Sequence, residues 1–416
     1  MWKLPDRSII CVDMKCFYAS CMAMLYNLDV DEVPIAVVGN FEQRGSIVLA
    51  ASPAMKQQFG IKTGNRLYEI PQHPSIRLFE PKMSFFLTMS MNITRLISRF
   101  VPKEAIHVYS VDESFVDLHG TEKLWGSAEE TAKLIQRSIY QQFKIKSAIG
   151  MGPNMLVAKL ALDLEAKKTG FAKWGYKDIE QKLWPIKPLS RMWGIGSKME
   201  KNLNELGIYS VGDLAKYHLK DLEKRYGVMG AQLYYHAHGI DFSTLGEPIT
   251  KGQISFGKGQ MLMRDYTTKG EIETVLLEMC EDVMQTVREA GYVGRTVALG
   301  LSYSRQTMKP SFYRSLTLDE ATNDTLKIYE AIKKIFYAYF EKEPVRQIAI
   351  RVSKVEVQHS VQLDLFDEQK ERRQTLAYTM DKIKRRYGKA SLCRAISLTK
   401  AGTAIQRTKL VGGHKR

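Results

Sequence analysis

The sequence predicts a multidomain α+β protein, and three observations predict it. Strands and amphipathic helices alternate over residues 8–166. Residues 174–240 then break into short helical stretches punctuated by Pro185, Pro188, Gly194, Gly196 and Gly207. Residues 253–355 read strand, helix, strand, strand, helix, strand, the order of a ferredoxin-like domain. A length of 416 residues allows about two to four domains. A hydrophobic content of 44% is enough to build packed cores rather than a disordered chain.

Taken in order, residues 8–13 form a strand that ends on an acidic side chain, and 34–39 and 46–50 form two more, separated by polar residues and glycine. Phe86, Met89, Ile93, Leu96, Ile97 and Phe100 recur at helical spacing, which predicts a helix over 85–100. Residues 106–111 and 114–118 read as a hairpin with Asp112 and Glu113 at its bend. A helix over 128–143, a strand over 147–152 and a helix over 154–166 follow. In the last third, helices are expected over 269–290 and 323–340, with strands over 253–256, 295–304, 311–318 and 346–355. No fixed-period repeat is present.

The chain carries 61 Lys plus Arg against 45 Asp plus Glu, a formal charge of +16. Such a surplus favours a polyanionic partner, usually nucleic acid, although charge alone does not require one. Its distribution is uneven: +7 over residues 1–240, −1 over 241–366 and +10 over 367–416. The last segment, with Lys382, Lys384, Arg385 and Arg386 close together, reads as a basic arm. No apolar run approaches the ~20 residues of a membrane span, and the opening residues lack signal-peptide character. The five cysteines include no Cys-x-x-Cys, and the eight histidines form no metal-type cluster. A cytoplasmic protein without a membrane partner is expected.

Three carboxylates suggest chemistry: Asp13 at a strand end, and the adjacent pair Asp112 and Glu113. Neighbouring like charges repel unless a cation neutralises them. Two divalent ions about 3.5–4 Å apart need bridging carboxylates from neighbouring strands. Magnesium prefers oxygen ligands and shares its shell with substrate phosphates, so the class suggested is phosphoryl or nucleotidyl transfer. On spacing alone a surface hairpin would look the same.

The surrounding residues are more specific. Asp13 is followed by Met14-Lys15-Cys16-Phe17-Tyr18-Ala19-Ser20; the pair sits in Tyr109-Ser110-Val111-Asp112-Glu113-Ser114-Phe115-Val116-Asp117; and Gly150-Met151-Gly152-Pro153-Asn154 precedes Leu156-Val157-Ala158-Lys159-Leu160-Ala161. In order and spacing these resemble the polymerase motifs of the Y-family translesion DNA polymerases, most closely the UmuC/ImpB-like UV-damage repair polymerases of Gram-positive bacteria. The tail from Ser397 to Leu410 resembles that subgroup too, so the likeness spans essentially the whole chain.

The resemblance implies a right-hand polymerase: a ferredoxin-like palm over 1–25 and 80–172, small fingers over 26–79, and a helix-hairpin-helix thumb over 173–240. A linker over 241–250 then leads to the β-α-β-β-α-β little finger over 251–357, followed by a clamp-binding peptide and basic tail over 358–416. It implies two magnesium ions on Asp13, Asp112, Glu113 and the main-chain carbonyl of Met14, with Asp117 outside the set. It implies that Tyr18 is a steric gate against ribose, and that the main-chain N–H groups of Cys16 and Phe17 face the triphosphate. On pattern alone Tyr18 reads as a core tyrosine beside Phe17.

Two phosphate-binding lysines are implied with departures from the family pattern. Lys56 stands where relatives carry arginine, without the bidentate fork of that side chain. The segment from Asp163 to Gly170 is one residue longer than usual, so Lys167 or Lys168 could be the second; either also fits a solvated helix end. Gly194, Ile195, Gly196 and Lys198 resemble a helix-hairpin-helix that holds a DNA phosphate on main-chain N–H groups. Gln362, Leu363, Leu365 and Phe366 resemble the bacterial sliding-clamp-binding peptide, with Leu365 and Phe366 filling apolar pockets.

The expected partners are therefore primer-template DNA, deoxynucleoside triphosphates and the sliding clamp (the β subunit). Whether a RecA filament or accessory subunits take part stays open. Error-prone synthesis in a DNA-damage (SOS) response is implied by the resemblance and not displayed by any residue. Two other readings stand beside it: a degenerate polymerase scaffold that binds primer ends or clamp without synthesis, and a helix-hairpin-helix nuclease using the same acids.

Overall fold

Strand β1 (Ile9–Met14) is apolar along almost its whole length and lies buried at the centre of a five-stranded sheet. The computed structural model describes residues 4–246, 254–358 and 369–415. They divide into two units, 1–249 and 250–416.

In the first unit, β1 leads into helix α1 (Phe17–Leu25). Strands β2 (Ile35–Val38), β3 (Val48–Ala51) and β4 (Arg77–Phe79) make a separate three-stranded sheet, which helix α2 (Pro53–Phe59) accompanies. Helix α3 (Met83–Ile97) returns the chain to the main sheet through β5 (Ile106–Val108) and β6 (Glu113–Asp117). A short helix α4 (Glu122–Trp125), helix α5 (Ala128–Phe143), β7 (Ser147–Gly152), helix α6 (Met155–Ala161), a π-turn over Leu162–Ala166, the short helix α7 (Lys167–Thr169) and β8 (Phe171–Lys173) complete it. The strand order is β5-β6-β1-β7-β8, with β1 antiparallel to both neighbours.

Helices α8 (Ser197–Asn204), α9 (Val211–Lys216), α10 (Leu219–Tyr226) and α11 (Val228–Ala237) follow. Their apolar faces do not form a core of their own. Leu203, Ile208, Val211 and Leu214 pack in one cluster with Leu156 and Leu160 of α6, Ile9 and Cys11 of β1, and Phe115 of β6. The helical region is thereby fixed to one face of the main sheet by the hydrophobic effect.

The second unit has the expected order: β9 (Phe256–Tyr266), α12 (Lys269–Glu289), β10 (Tyr292–Tyr303), β11 (Phe312–Thr322), α13 (Thr325–Tyr339) and β12 (Val345–Val357). The strands run antiparallel in the order β11-β10-β12-β9. The predicted strand over 253–256 was much too short. Gly257 and Gly259 interrupt the apolar alternation that marks a strand, yet β9 pairs with β12 through both glycines.

The expected basic arm is a docked structure. Helix α14 (Lys370–Tyr387), a 3₁₀ turn over Ala395–Leu398 and helix α15 (Ala404–Thr408) lie against α12. Arg288 of α12 and Asp381 of α14 form a bidentate ion pair at 2.6 and 3.1 Å, with side chains only 4% and 8% exposed. Arg288 also donates to the Asn323 carbonyl and to Thr325 Oγ1. Glu278 accepts from the N–H and hydroxyl of Thr403, Arg394 meets Glu281 at 2.5 Å, and Arg407 meets Asp282 at 2.9 Å. The near-zero charge of 241–366 conceals this acidic face of α12, where the basic tail binds.

Replacing Asp381 by Ala leaves a buried guanidinium without its counter-charge. We expect a loss of about 3–5 kcal/mol in the unfolding of this unit, while replacing both partners with apolar residues costs far less. Urea denaturation of the full chain followed by tryptophan-independent far-UV signal measures both.

Candidate active site

Asp13 stands directly opposite Glu113 in the register of β1 and β6. The turn that precedes β6 is pinned to β1 by the Met14 N–H, which donates to the Asp112 carbonyl at 2.9 Å. Ser110 Oγ donates to Asp112 Oδ1 at 2.6 Å. Two antiparallel strands and one turn thus gather the three acids that the sequence singles out. Asp13 and Asp112 are half-buried and Glu113 is buried. Burial raises the Asp13 carboxyl above the ordinary aspartate range. Lys167 pulls it the other way, and the charges of Asp112 and Glu113 add to the rise.

The compensating charges come from the helix that follows β7. Lys159 Nζ lies 2.6 Å from Glu113 Oε1 and 3.2 Å from Asp163 Oδ2. Lys167 Nζ lies 3.2 Å from Asp13 Oδ2 and 2.8 Å from Asp163 Oδ1. Burial works against both ammonium groups. The bonds to Glu113 for Lys159, and to Asp163 and Asp13 for Lys167, outweigh it, so both pKa values end raised. The result is an alternating chain: Glu113, Lys159, Asp163, Lys167, Asp13. Beneath it the Cys11 thiol donates to Glu113 Oε1 at 2.9 Å, and burial followed by the charge of Glu113 pushes that thiol well up.

Local backbone features bring this helix close enough. A Cβ on Gly150 would stand 2.2 Å from both the Ala158 carbonyl oxygen and the Leu162 nitrogen, so only glycine lets α6 lie on β7 at this distance. The expected continuous helix over 154–166 is instead α6, a π-turn over Leu162–Ala166 and α7. A π-turn takes one more residue per hydrogen-bonded ring than an α-turn. Beyond this turn Lys167 reaches Asp13. That separates the two candidate lysines: among the described residues Lys168 makes no ion pair with Asp13.

A second group of residues borders the acids. Cys16 adopts a left-handed conformation, φ 50°, which turns the chain sharply from β1 into α1. The first N–H groups of a helix have no intrahelical acceptor, and at α1 these belong to Phe17 and its neighbours. Lys56, in the last turn of α2, donates to Cys16 Sγ at 3.1 Å, so the small sheet delivers a cation to this turn. The Tyr18 ring is stacked on the fully buried Phe86, centroids 4.5 Å apart and planes 18° apart, with Phe17 beside it. Burial, then the charge of Asp112, raises the Tyr18 phenol. Tyr18 is therefore partly core, as its pattern suggests, yet it is only half-buried and feels the charge of Asp112.

Gly194, with φ 93°, and Gly196 expose the main chain at the start of α8, where Lys198 is also exposed. The Ile195 side chain is buried, so it can offer only its backbone. Trp193 Nε1 donates to the Tyr109 hydroxyl at 3.4 Å, which ties this loop to the hairpin carrying Asp112. Among the described residues no three acids, histidines or cysteines converge into a complete metal cage, because Glu113 turns to Lys159 and Cys11. The predicted clamp peptide, Gln362 to Phe366, lies outside the described residues. Sequence reasoning missed Lys159, Asp163 and Cys11. The available signal was a lone lysine in the apolar run of α6, four residues before an aspartate.

Comparisons with known proteins agree along the chain. A model of the impB/mucB/samB family matches residues 12–163, one of that family's C-terminal domain matches 253–365, and one of the IMS family HHH motif matches 176–208. UvrX of Bacillus subtilis (strain 168), a protein named for UV-damage repair, is 49% identical over 415 residues, covering 99% of each chain. DNA polymerase IV 2 of the same strain is 35% identical over 415 residues, again covering 99% of each. The solved Y-family DNA polymerase chimera Dbh-Dpo4(243-245)-Dbh aligns with 84% of this chain and 99% of its own, at a TM-score of 0.65 and 19% identity, which establishes the fold.

The raised Asp13 carboxyl has a consequence for stability. A carboxyl whose pKa is higher folded than unfolded favours folding most when protonated, and that contribution is lost as pH rises through the folded value. Asp13→Asn is expected to melt above the parent at pH 7.5 in chelator, with the gap closing as pH falls below the carboxylate range. Thermal denaturation across pH measures it, and a variant less stable than the parent at pH 7.5 contradicts it.

Proposed function

The chain belongs to the impB/mucB/samB family, the Y-family DNA polymerases, and from that premise we propose that it carries out error-prone, template-directed translesion DNA synthesis by two-metal nucleotidyl transfer in a DNA-damage response. The observation that supports this most is the placement of Asp13 opposite Glu113 with Asp112 alongside, and Lys56 and Lys167 arriving from two other elements. The donor set suits magnesium: hard carboxylate oxygens, crowded enough that burial and like charge raise Asp13.

Asp13, Asp112, Glu113 and the Met14 carbonyl would hold the two ions, whose chemistry when bound is to neutralise phosphate charge and lower the pKa of the primer 3′-hydroxyl. The protein's own residues do the rest. The turn at Cys16 and Phe17 offers main-chain N–H groups to the triphosphate of an incoming deoxynucleotide, and Lys56 and Lys167 add positive charge there. Tyr18 stands where a ribose 2′-hydroxyl would meet its ring. Its stacking on Phe86 keeps the ring from yielding, so the clash becomes discrimination rather than displacement.

We assign the palm to 1–25 and 80–172, the fingers to 26–79, the thumb to 173–240, the linker to 241–250 and the little finger to 251–357. Residues 358–416 carry the clamp peptide and the tail. Gly194, Ile195, Gly196 and Lys198 hold a duplex phosphate through the main chain and one lysine, a sequence-independent contact that weakens with salt. Gln362, Leu363, Leu365 and Phe366 recruit the sliding clamp.

Primer extension by the purified chain on damaged and undamaged templates tests the activity; no extension with magnesium overturns it. Asp112→Ala is expected to lower kcat by about a thousand-fold or more, as loss of several kcal/mol of charge stabilisation requires. Tyr18→Ala is expected to raise the ratio of ribonucleotide to deoxynucleotide kcat/KM, and an unchanged ratio removes its gate role. Replacing Leu365 and Phe366 by Ala is expected to abolish clamp capture in a pull-down and to leave distributive extension intact.

A further inference from the structure

The alternating chain of charges beside the acids has a property that the proposed function does not contain. Lys167 spends its ammonium on two carboxylates, Asp13 at 3.2 Å and Asp163 at 2.8 Å. Asp163 in turn holds both lysines, with Oδ1 2.8 Å from Lys167 and 3.3 Å from Lys159 and Oδ2 3.2 Å from Lys159, and Lys159 holds Glu113. We propose that Lys167 and a divalent cation are rivals for Asp13, and that Asp163 is the positioning residue that sets the terms of the contest by drawing Lys167 partly away from Asp13. The proposal rests on the reading of Asp13 as a metal ligand.

The physical case is direct. A carboxylate oxygen that accepts from an ammonium is a poorer donor to a metal ion, because the lone pairs and the negative charge are shared. Lys167 is 44% exposed and Asp13 18%, so their pair is weak enough to exchange and strong enough to measure. Asp163 lies in the π-turn, one turn before Lys167 on the same helix, and it keeps Lys167 within reach of Asp13 whichever carboxylate holds the proton-rich ammonium. A lysine released from Asp13 in this way remains beside the acids, available to the phosphates of a nucleotide. One side chain thus couples metal occupancy to nucleotide charge: binding the metal at Asp13 frees the cation that the nucleotide needs.

The coupling gives signs that a merely structural role would not. Lys167→Gln removes the rival and should tighten metal binding, while it weakens nucleotide binding. Asp163→Asn removes the competing carboxylate, leaves Lys167 entirely to Asp13 and should loosen metal binding. Each variant changes net charge by one, so each needs a control of equal charge: Lys168→Gln for the first and Glu165→Gln for the second, whose carboxylate is instead engaged by Trp174 and Lys182.

The test is titration of the full-length chain with Mn²⁺, free ion read by electron paramagnetic resonance, without DNA or nucleotide. Relative to its control, Lys167→Gln is expected to lower the Mn²⁺ Kd by about two- to five-fold, and Asp163→Asn to raise it by a similar factor. Primer extension by Lys167→Gln should show a raised deoxynucleotide KM. Lys167→Gln indistinguishable from Lys168→Gln, or Asp163→Asn binding Mn²⁺ more tightly than Glu165→Gln, overturns the proposal. Asp13→Asn separates the two levels: if it binds Mn²⁺ like the parent, the metal-ligand reading itself has failed; if it loses binding while Lys167→Gln does nothing, only the rivalry has failed.

Discussion

Two carboxylates opposed across an antiparallel strand pair are the constraint on which the rest of the first unit depends. Asp13 and Glu113 occupy one register position of β1 and β6, where like charges face each other within a few ångströms, and Asp112 adds a third from the adjoining turn. In a half-buried setting such a cluster destabilises the sheet that carries it. The fold answers with two lysines, Lys159 of α6 and Lys167 of α7, both paired with Asp163. Gly150 lets α6 lie on β7, and beyond the π-turn Lys167 reaches Asp13.

The other wall of the site is built for stiffness. A left-handed residue at Cys16 costs backbone energy in any residue but glycine, and it persists here because β1 and α1 are both fixed by burial on either side of it. Tyr18 is supported from behind by Phe86, an arrangement that makes a partly exposed ring behave like a core one. The small sheet of β2, β3 and β4 has its own modest core of Val38, Val48 and Met55, and its contribution to the site is a single side chain, Lys56, reaching Cys16. A sharp turn, a rigid ring and a lysine delivered from a separate sheet are a division of labour: the main sheet sets the acids, and the neighbouring elements set what may approach them.

Legibility in the sequence followed physical range. The β-α-β-β-α-β order of the second unit was readable because α12 and α13 show clean helical periodicity; β9, interrupted by Gly257 and Gly259, was cut most, while β10, β11 and β12 extend a few residues beyond their expected ends. Asp13, Asp112 and Glu113 stood out because adjacent acids at a strand end need a reason. The lysines that compensate them did not, because a pairing between Lys159 and Glu113 depends on how closely a helix can approach a sheet, and that is decided by the absence of a Cβ at Gly150. The pairing of Lys167 with Asp13 likewise follows a π-turn, which has no compositional signature.

Net charge is hard to read from sequence for a related reason. A sum over residues cannot distinguish a cation facing solvent from one neutralised by its own chain. The +10 of residues 367–416 suggested an arm that holds DNA or an acidic partner, and Arg373, Lys384, Arg394 and Arg407 each pair with an acid of the second unit: Asp324, Glu281, Glu281 and Asp282. The acids they meet belong to a segment whose own sum is −1. The ion pairs between these segments add little to the external field, although the two segments together still carry +9. A basic tail is therefore evidence for a polyanionic partner only after its internal partners have been subtracted. In this chain part of the basic tail is a brace that holds α12 from outside, with the buried Arg288–Asp381 pair as its fixed point.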